Sequence, residues 1–304
     1  MQPGWTKAAP TPKELEAAAT AQAAASIVYF NKTATFPGER KIPPGWQEIS
    51  HAKDPLGALL KTADAAHLVA PNGVEVVAFR GSIGKLTGPD WTENFKQGLG
   101  MFNPDSTPKH FAAAEIGRQL KGANVVFAGH SLGGGLATLA AELASTPHAD
   151  GTVPPPAQCI TFNAAAVTKS TFRAAGCPSR GGVAQAQHLV NDRDAVNRFV
   201  PGGKTHAFTG NVQSSAEHAE TNVYQVKGGG SLKGKGHGIA IFESAQADGS
   251  KKFSLPIHGS AGTLSHAEFD QKIAARVADA SLGKRLEQAR GPLTIGARGP
   301  SLGR

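Results

Sequence analysis

The segment with the most definite chemical content is Gly129-His130-Ser131-Leu132-Gly133. A G-x-S-x-G pattern alone recurs by chance, so its surroundings decide its meaning. An apolar run, Asn124 to Gly129, precedes it, and a small-residue run through Gly134, Gly135, Leu136 and Ala137 follows. That is the strand, sharp turn and helix that present a nucleophilic serine. Small residues at 129 and 133 let strand and helix approach. Ser131 Oγ then projects above the sheet, beside a helix N-terminus that favours developing negative charge. The chemistry such a serine performs is acyl transfer.

A serine hydroxyl needs a base to take its proton, and the base is a histidine oriented by a carboxylate. In this strand–turn–helix setting the chain order is Ser, then acid, then His, so the search starts after Ser131. Asp192 and Asp194 follow a predicted strand, in Val190-Asn191-Asp192-Arg193-Asp194-Ala195-Val196. Asp194 is the preferred acid and Asp192 its rival; either could instead cap a turn or pair with Arg193 or Arg198. Five histidines come later: His206, His218, His237, His258 and His266. His266 opens a predicted helix with Ser265 as its N-cap, which anchors the ring, so it is preferred over His258. An oxyanion hole takes one donor from the amide after the nucleophile, Leu132. The second comes from an earlier strand end, where Phe79-Arg80-Gly81-Ser82 offers the Ser82 amide and hydroxyl.

These residues need a sheet to carry them. Residues 13–30 read as an alanine-sustained helix and 31–57 as a Pro/Gly-rich loop. Strands at 65–70 and 74–79 read as a hairpin turned by Pro71-Asn72-Gly73. Helices are expected at 108–121, 132–145 and 264–281, and strands at 124–129, 158–163, 186–190 and, outermost, 221–226. Short apolar strands alternating with helices imply an α/β fold, a mostly parallel sheet covered on both faces. Trp91, Phe95, Leu99 and Phe102 fall on one helical face within 83–107, the pattern of a lid or of a helix docked on the core. No internal repeat or second core is evident. The expected organisation is one domain over 1–282, a Gly/Lys-rich insertion at 227–252 with a flexible loop at 227–238, and a basic disordered tail at 283–304.

Composition narrows the class. The 304 residues carry a net charge of +8. The tail holds +4 of it and the insertion +3, so the rest is near neutral. Gly (37) and Pro (20) stay below the roughly 25–30% of low-complexity chains. No run nears the roughly 18 apolar residues of a membrane span. No Sec-type signal is read at the start; the expectation is synthesis in the cytoplasm with export, if any, by a signal-independent route. Cys159 and Cys177 read as two buried thiols rather than a bridge. Neither zinc-like Cys/His spacing nor a phosphate-binding loop occurs, so no cofactor is expected. The basic residues lack interleaved aromatics, which argues against nucleic acid.

Phe79-Arg80-Gly81-Ser82, Gly129-His130-Ser131-Leu132-Gly133-Gly134, Ile160-Thr161-Phe162-Asn163 and Asp194-Ala195-Val196 together resemble the class 3 (fungal-type) lipases, in a bacterial-type member. The resemblance spans about 60–200 well and 200–282 weakly. It implies an α/β-hydrolase fold and carboxylic-ester hydrolysis, with Ser131 as nucleophile, Asp194 as acid and Ser82 and Leu132 as oxyanion donors. Ala195 stands where family members often have Pro, and Ser265-His266 matches the histidine region only loosely. A basic surface with an apolar lid suits anionic phospholipid, ahead of triacylglycerol or short esters. A basic lipase without a Sec signal is also similar to antibacterial lipase effectors, which implies a secretion or immunity partner. The reading from a different class is a non-catalytic α/β-hydrolase-like binding module.

Overall fold

The structure is a computed structural model of the chain. It describes residues 10–30, 42–82, 103–105, 107–165, 167–177, 184–191, 219–226, 243–245 and 251–253, all within the compact unit Met1–Ser265. The elements in order are α1 (Pro12–Phe30), β1 (Gln47–Glu48), α2 (Pro55–Thr62), β2 (Ala65–Val69), β3 (Glu75–Phe79), α3 (Pro108–Gln119), β4 (Val125–His130), α4 (Leu132–Ala144), β5 (Gln158–Phe162), α5 (Lys169–Ala174), β6 (Ala184–Asn191), β7 (Ala219–Val226), β8 (Glu243–Ala245) and β9 (Lys251–Phe253).

Strands β1 to β7 form one sheet in sequence order. The β1–β2 and β2–β3 pairs are antiparallel, and β3 through β7 are parallel. The β2–β3 hairpin turns where the Asn-Gly signal placed it. Gly73 takes φ 79°, its amide donates to Ala70 O at 2.9 Å, and Asn72 Oδ1 accepts from the Val74 amide at 3.3 Å. A hydrogen-bonded register aligns Phe79 with Gly129, Gly129 with Thr161, and His130 with Phe162. Those pairings bring the carboxyl ends of β3, β4 and β5 to one edge.

Each parallel step moves one place in the same direction across the sheet. Right-handed crossovers then drop the connecting helices on a single face. Helices α3 and α4 lie there with α2, burying Leu60, Ile116, Leu136 and Ala140 against Val77, Phe79, Val125 and Phe127. The other face must be covered by something outside that series, and α1 does it. Ala18, Ala21, Ala24, Ile27 and Val28 recur at helical spacing and pack on Val76, Ala78, Val126, Ile160 and Phe162. Small side chains let α1 sit close to the strands. Its start is a reciprocal capping box: the Thr11 amide donates to Glu14 Oε2 at 2.7 Å and the Glu14 amide to Thr11 Oγ1 at 3.3 Å.

The expected α/β architecture is thus present, a mixed sheet with helices on both faces. The elements differ from the sequence expectation in three places. The stretch read as loop over 31–57 contains β1 and the start of α2, whose N-cap Asp54 accepts from the Gly57 amide ahead of Pro55. Helix α5, six residues long, was not expected. The insertion at 227–252 holds β8, which pairs with β9 as an antiparallel hairpin. The candidate lid residues Trp91, Phe95, Leu99 and Phe102, the loop 227–238, the helix 264–281 and the tail 283–304 lie outside the described residues.

Cys159 and Cys177 are both free and buried, as two thiols were expected to be. Burial pushes the Cys159 thiol up to about 12 and raises that of Cys177 as well, so neither is a thiolate at neutral pH. Among the described residues no helix is long and apolar enough to cross a membrane.

Candidate active site

Ser131 occupies the single residue between β4 and α4, with φ 58° and ψ −128°. A positive φ at a non-glycine residue is strained, at a cost of about 1–3 kcal/mol. Its surroundings impose it. The Ser131 amide donates to Phe162 O at 3.1 Å, from the end of β5. The Ser131 carbonyl accepts from the Gly134 amide at 2.9 Å and the Ala165 amide at 2.7 Å. The chain is therefore tied to the next strand on one side and to its own helix on the other.

The glycines around it mark contact rather than flexibility. A Cβ at Gly129 would lie 2.1 Å from Gly133 O, and one at Gly133 would lie 2.2 Å from Phe79 O. Both distances are far inside van der Waals contact. Side chains at either position would push β4, α4 and β3 apart. This is the close approach that the sequence spacing predicts.

The Arg80-Gly81-Ser82 segment leaves β3 and lies against this turn. A Cβ at Gly81 would lie 3.0 Å from Ser131 Cβ, 2.5 Å from His130 O and 1.9 Å from Tyr29 Oη. Ser82 Oγ is buried without a hydrogen-bond partner among the described residues. A buried hydroxyl in that condition costs free energy. Leu132 is fully buried and supplies the first amide of α4, one of the amides with no acceptor inside the helix. Ser82, Ser131 and Leu132 are thus drawn from the segment after β3, the strand-to-helix turn (the elbow) and the start of α4, with Gly81 packed against Ser131.

Two further residues with polar contacts in the core, Tyr29 and His188, were not singled out from the sequence. Tyr29, near the end of α1, places Oη 2.8 Å from His130 Nδ1, with the two rings edge-on at 5.5 Å. His130 is itself buried beneath the serine. On the opposite face of the sheet, His188 of β6 meets Thr161 Oγ1 at 2.6 Å through Nδ1. Its Nε2 is buried and has no partner among the described residues, and burial pushes its pKa down to about 4.

Strand β6 ends at Asn191, running parallel to β4 and β5, so the chain departs toward Asp192 and Asp194 from the edge that carries Ser131. Asp192, Asp194, His258 and His266 lie outside the described residues. Among the described residues no group of three His, Cys, Asp or Glu side chains could hold a metal ion.

The fold and site define a class: an α/β protein with a mostly parallel sheet and a strained serine at a strand-to-helix turn on its carboxyl edge. Within that class, the chain belongs to the phospholipase-like family described as the Tle-like phospholipase domain, whose model matches residues 19–203, more than half of its length. No curated protein matches it. The matched stretch includes Ser82, Ser131, Asp192 and Asp194, and ends before His258 and His266. Membership is thus of a phospholipase family, a coarser relation than the class 3 lipase resemblance of the motifs.

Proposed function

We propose that the chain is a serine ester hydrolase of phospholipids, with an α/β-hydrolase fold related to the class 3 lipases. The observation that carries this is the strained Ser131 turn with the Gly81-Ser82 segment packed against it. Membership of a phospholipase-like family supports the lipid substrate.

In this mechanism His266, aligned by Asp194, takes the Ser131 proton as Oγ attacks the ester carbonyl. The Leu132 and Ser82 donors hold the tetrahedral oxyanion, each worth about 10²–10³ in kcat. His266 then protonates the leaving alcohol. Water, deprotonated by the same histidine, cleaves the acyl-enzyme and frees the fatty acid. No cofactor takes part. Asp192 and His258 are the rivals for acid and base. The net positive charge favours an anionic phospholipid surface over triacylglycerol, and the same proposal includes delivery as an effector with a secretion or immunity partner.

A fluorophosphonate probe tests the chemistry. It labels the wild-type chain at Ser131 and leaves Ser131→Ala unlabelled; a folded wild-type chain that stays unlabelled makes the protein a binding module instead. His266→Ala abolishes turnover while His258→Ala retains it, and the reverse result moves the base to His258. Fatty acid is released faster from anionic phospholipid vesicles than from a triacylglycerol emulsion.

A further inference from the structure

Asp64 lies in the turn between α2 and β2 with φ 54°, a left-handed conformation that Asp tolerates better than most residues. Its carbonyl accepts the Arg80 amide at 3.0 Å. Its carboxylate Oδ2 accepts from Arg80 Nη2 at 2.7 Å and from Lys109 Nζ at 2.5 Å. Arg80 is the first residue past β3, immediately before Gly81 and Ser82, and Lys109 stands in the first turn of α3. The chain therefore leaves β3 and enters α3 at the same carboxylate. Burial alone would raise the Asp64 carboxyl, but the two cations outweigh it and hold it below the usual carboxylate range. It is an anion at neutral pH.

This grip acts on a segment with no slack. Gly81 touches Tyr29, His130 and Ser131 closely enough that no Cβ fits. Any slide of residues 80–82 changes the distance from Ser82 to the nucleophile. We propose that Asp64 is the positioning residue of the oxyanion segment, holding Arg80 by backbone and side chain together and so fixing Ser82 beside Ser131. The inference rests on the serine-hydrolase reading above and adds the residue that aligns its electrophilic half. Preset donors act because they need no rearrangement as charge develops, and a displacement of about 1 Å costs on the order of 10²-fold in rate. The loss falls on the transition state, so it appears in kcat rather than KM.

The test uses the full chain and a short soluble ester. Asp64→Asn keeps shape and left-handed tolerance while removing the charge, and Arg80→Gln removes the other partner. Each lowers kcat about 10- to 100-fold with KM within about twofold. The inhibition constant of an alkylboronic acid, which forms a tetrahedral adduct on a serine, rises by the factor by which kcat/KM falls. The Asp64→Asn/Arg80→Gln double variant loses no more than the worse single. Should Asp64→Asn not fold, Arg80→Gln and the partial rescue by Arg80→Lys carry the same comparison. Unchanged kcat and boronate inhibition in variants that merely unfold more easily would overturn the proposal, as would a rise in KM at constant kcat. If fluorophosphonate does not label wild-type Ser131, the hydrolase reading fails first, before any variant is compared.

Discussion

At the scale of single residues, charge and burial are decided by what each side chain touches. His188 is 2% exposed and neutral in the fold, because burial pushes its pKa down to about 4 from 6.5. Its tautomer follows from the contacts. A proton on Nδ1 donates to Thr161 Oγ1 and leaves only a lone pair on Nε2, which has no partner among the described residues; that is cheaper than an orphaned N–H. The unfolded chain protonates this histidine below about pH 6.5, whereas the folded chain does so only near pH 4. Its contribution is therefore fully present above pH 6.5 and is lost as pH falls through that window. The loss totals about 3 kcal/mol. Denaturant titrations at pH 7 and pH 4.5 measure it, and His188→Asn, which retains a donor near the Nδ1 position, flattens the difference between them. An equally acid-sensitive His188→Asn variant would place the acid sensitivity elsewhere.

At the scale of elements, close contact overrides local propensity. Gly117 sits inside α3, where alanine would be favoured by about 1 kcal/mol. Yet a Cβ there would lie 2.1 Å from Ala140 O of α4, so the two helices touch backbone to backbone. Gly117→Ala gains the propensity and loses about 1–3 kcal/mol to overpacking, for a net fall in stability. A urea midpoint that rises instead would show the helices free to separate. Because α4 begins at the elbow, the same variant lowers fluorophosphonate labelling of Ser131. This scale also divides what the sequence revealed from what it concealed. The elbow was legible because its signals are local: apolar strand, serine between glycines, small-residue helix. The β2–β3 hairpin was legible for the same reason, through Asn72-Gly73. Helix α2 was missed although Asp54-Pro55 is a cap followed by a first-turn proline, since the surrounding Pro and Gly residues outweighed that pair. Asp64 and Lys109 were missed for a deeper reason. Asp64 meets Arg80 and Lys109 only through the β2–β3 hairpin and the return of the chain into α3, and a charge of no local pattern reads as solvated surface. In sequence Tyr29 reads only as the end of an alanine-sustained helix, and the placement of α1 on the second face brings it to His130.

At the scale of the whole molecule, the charge and the chemistry are separate. Of the net +8, the stretch 283–304 holds +4 and 227–252 holds +3, which leaves +1 for the rest of the chain. Neither contains Ser82, Ser131 or Leu132, and the family match at 19–203 includes neither. Within the described fold the strong cations near the serine are spent on Asp64, so they are not free to attract a lipid head group. On the proposed function, recognition of an anionic surface is assigned to the stretch 283–304, where the sequence sets Lys284, Arg285, Arg290, Arg298 and Arg304 against a single Glu287. A basic residue near an anionic leaflet is worth about 1 kcal/mol, and the attraction decays within a Debye length of about 8 Å at physiological salt. Deleting 283–304 should therefore weaken binding to phosphatidylserine vesicles by tenfold or more, a factor that shrinks as salt is raised. Hydrolysis of a short soluble ester, which needs only the elbow, the oxyanion segment and the acid–base pair, should be unchanged. Vesicle cosedimentation and ester turnover on the same preparation separate the two. Equal loss in both assays would mean that the terminal stretch supports the catalytic fold itself, and unchanged vesicle binding would assign the surface to 227–252.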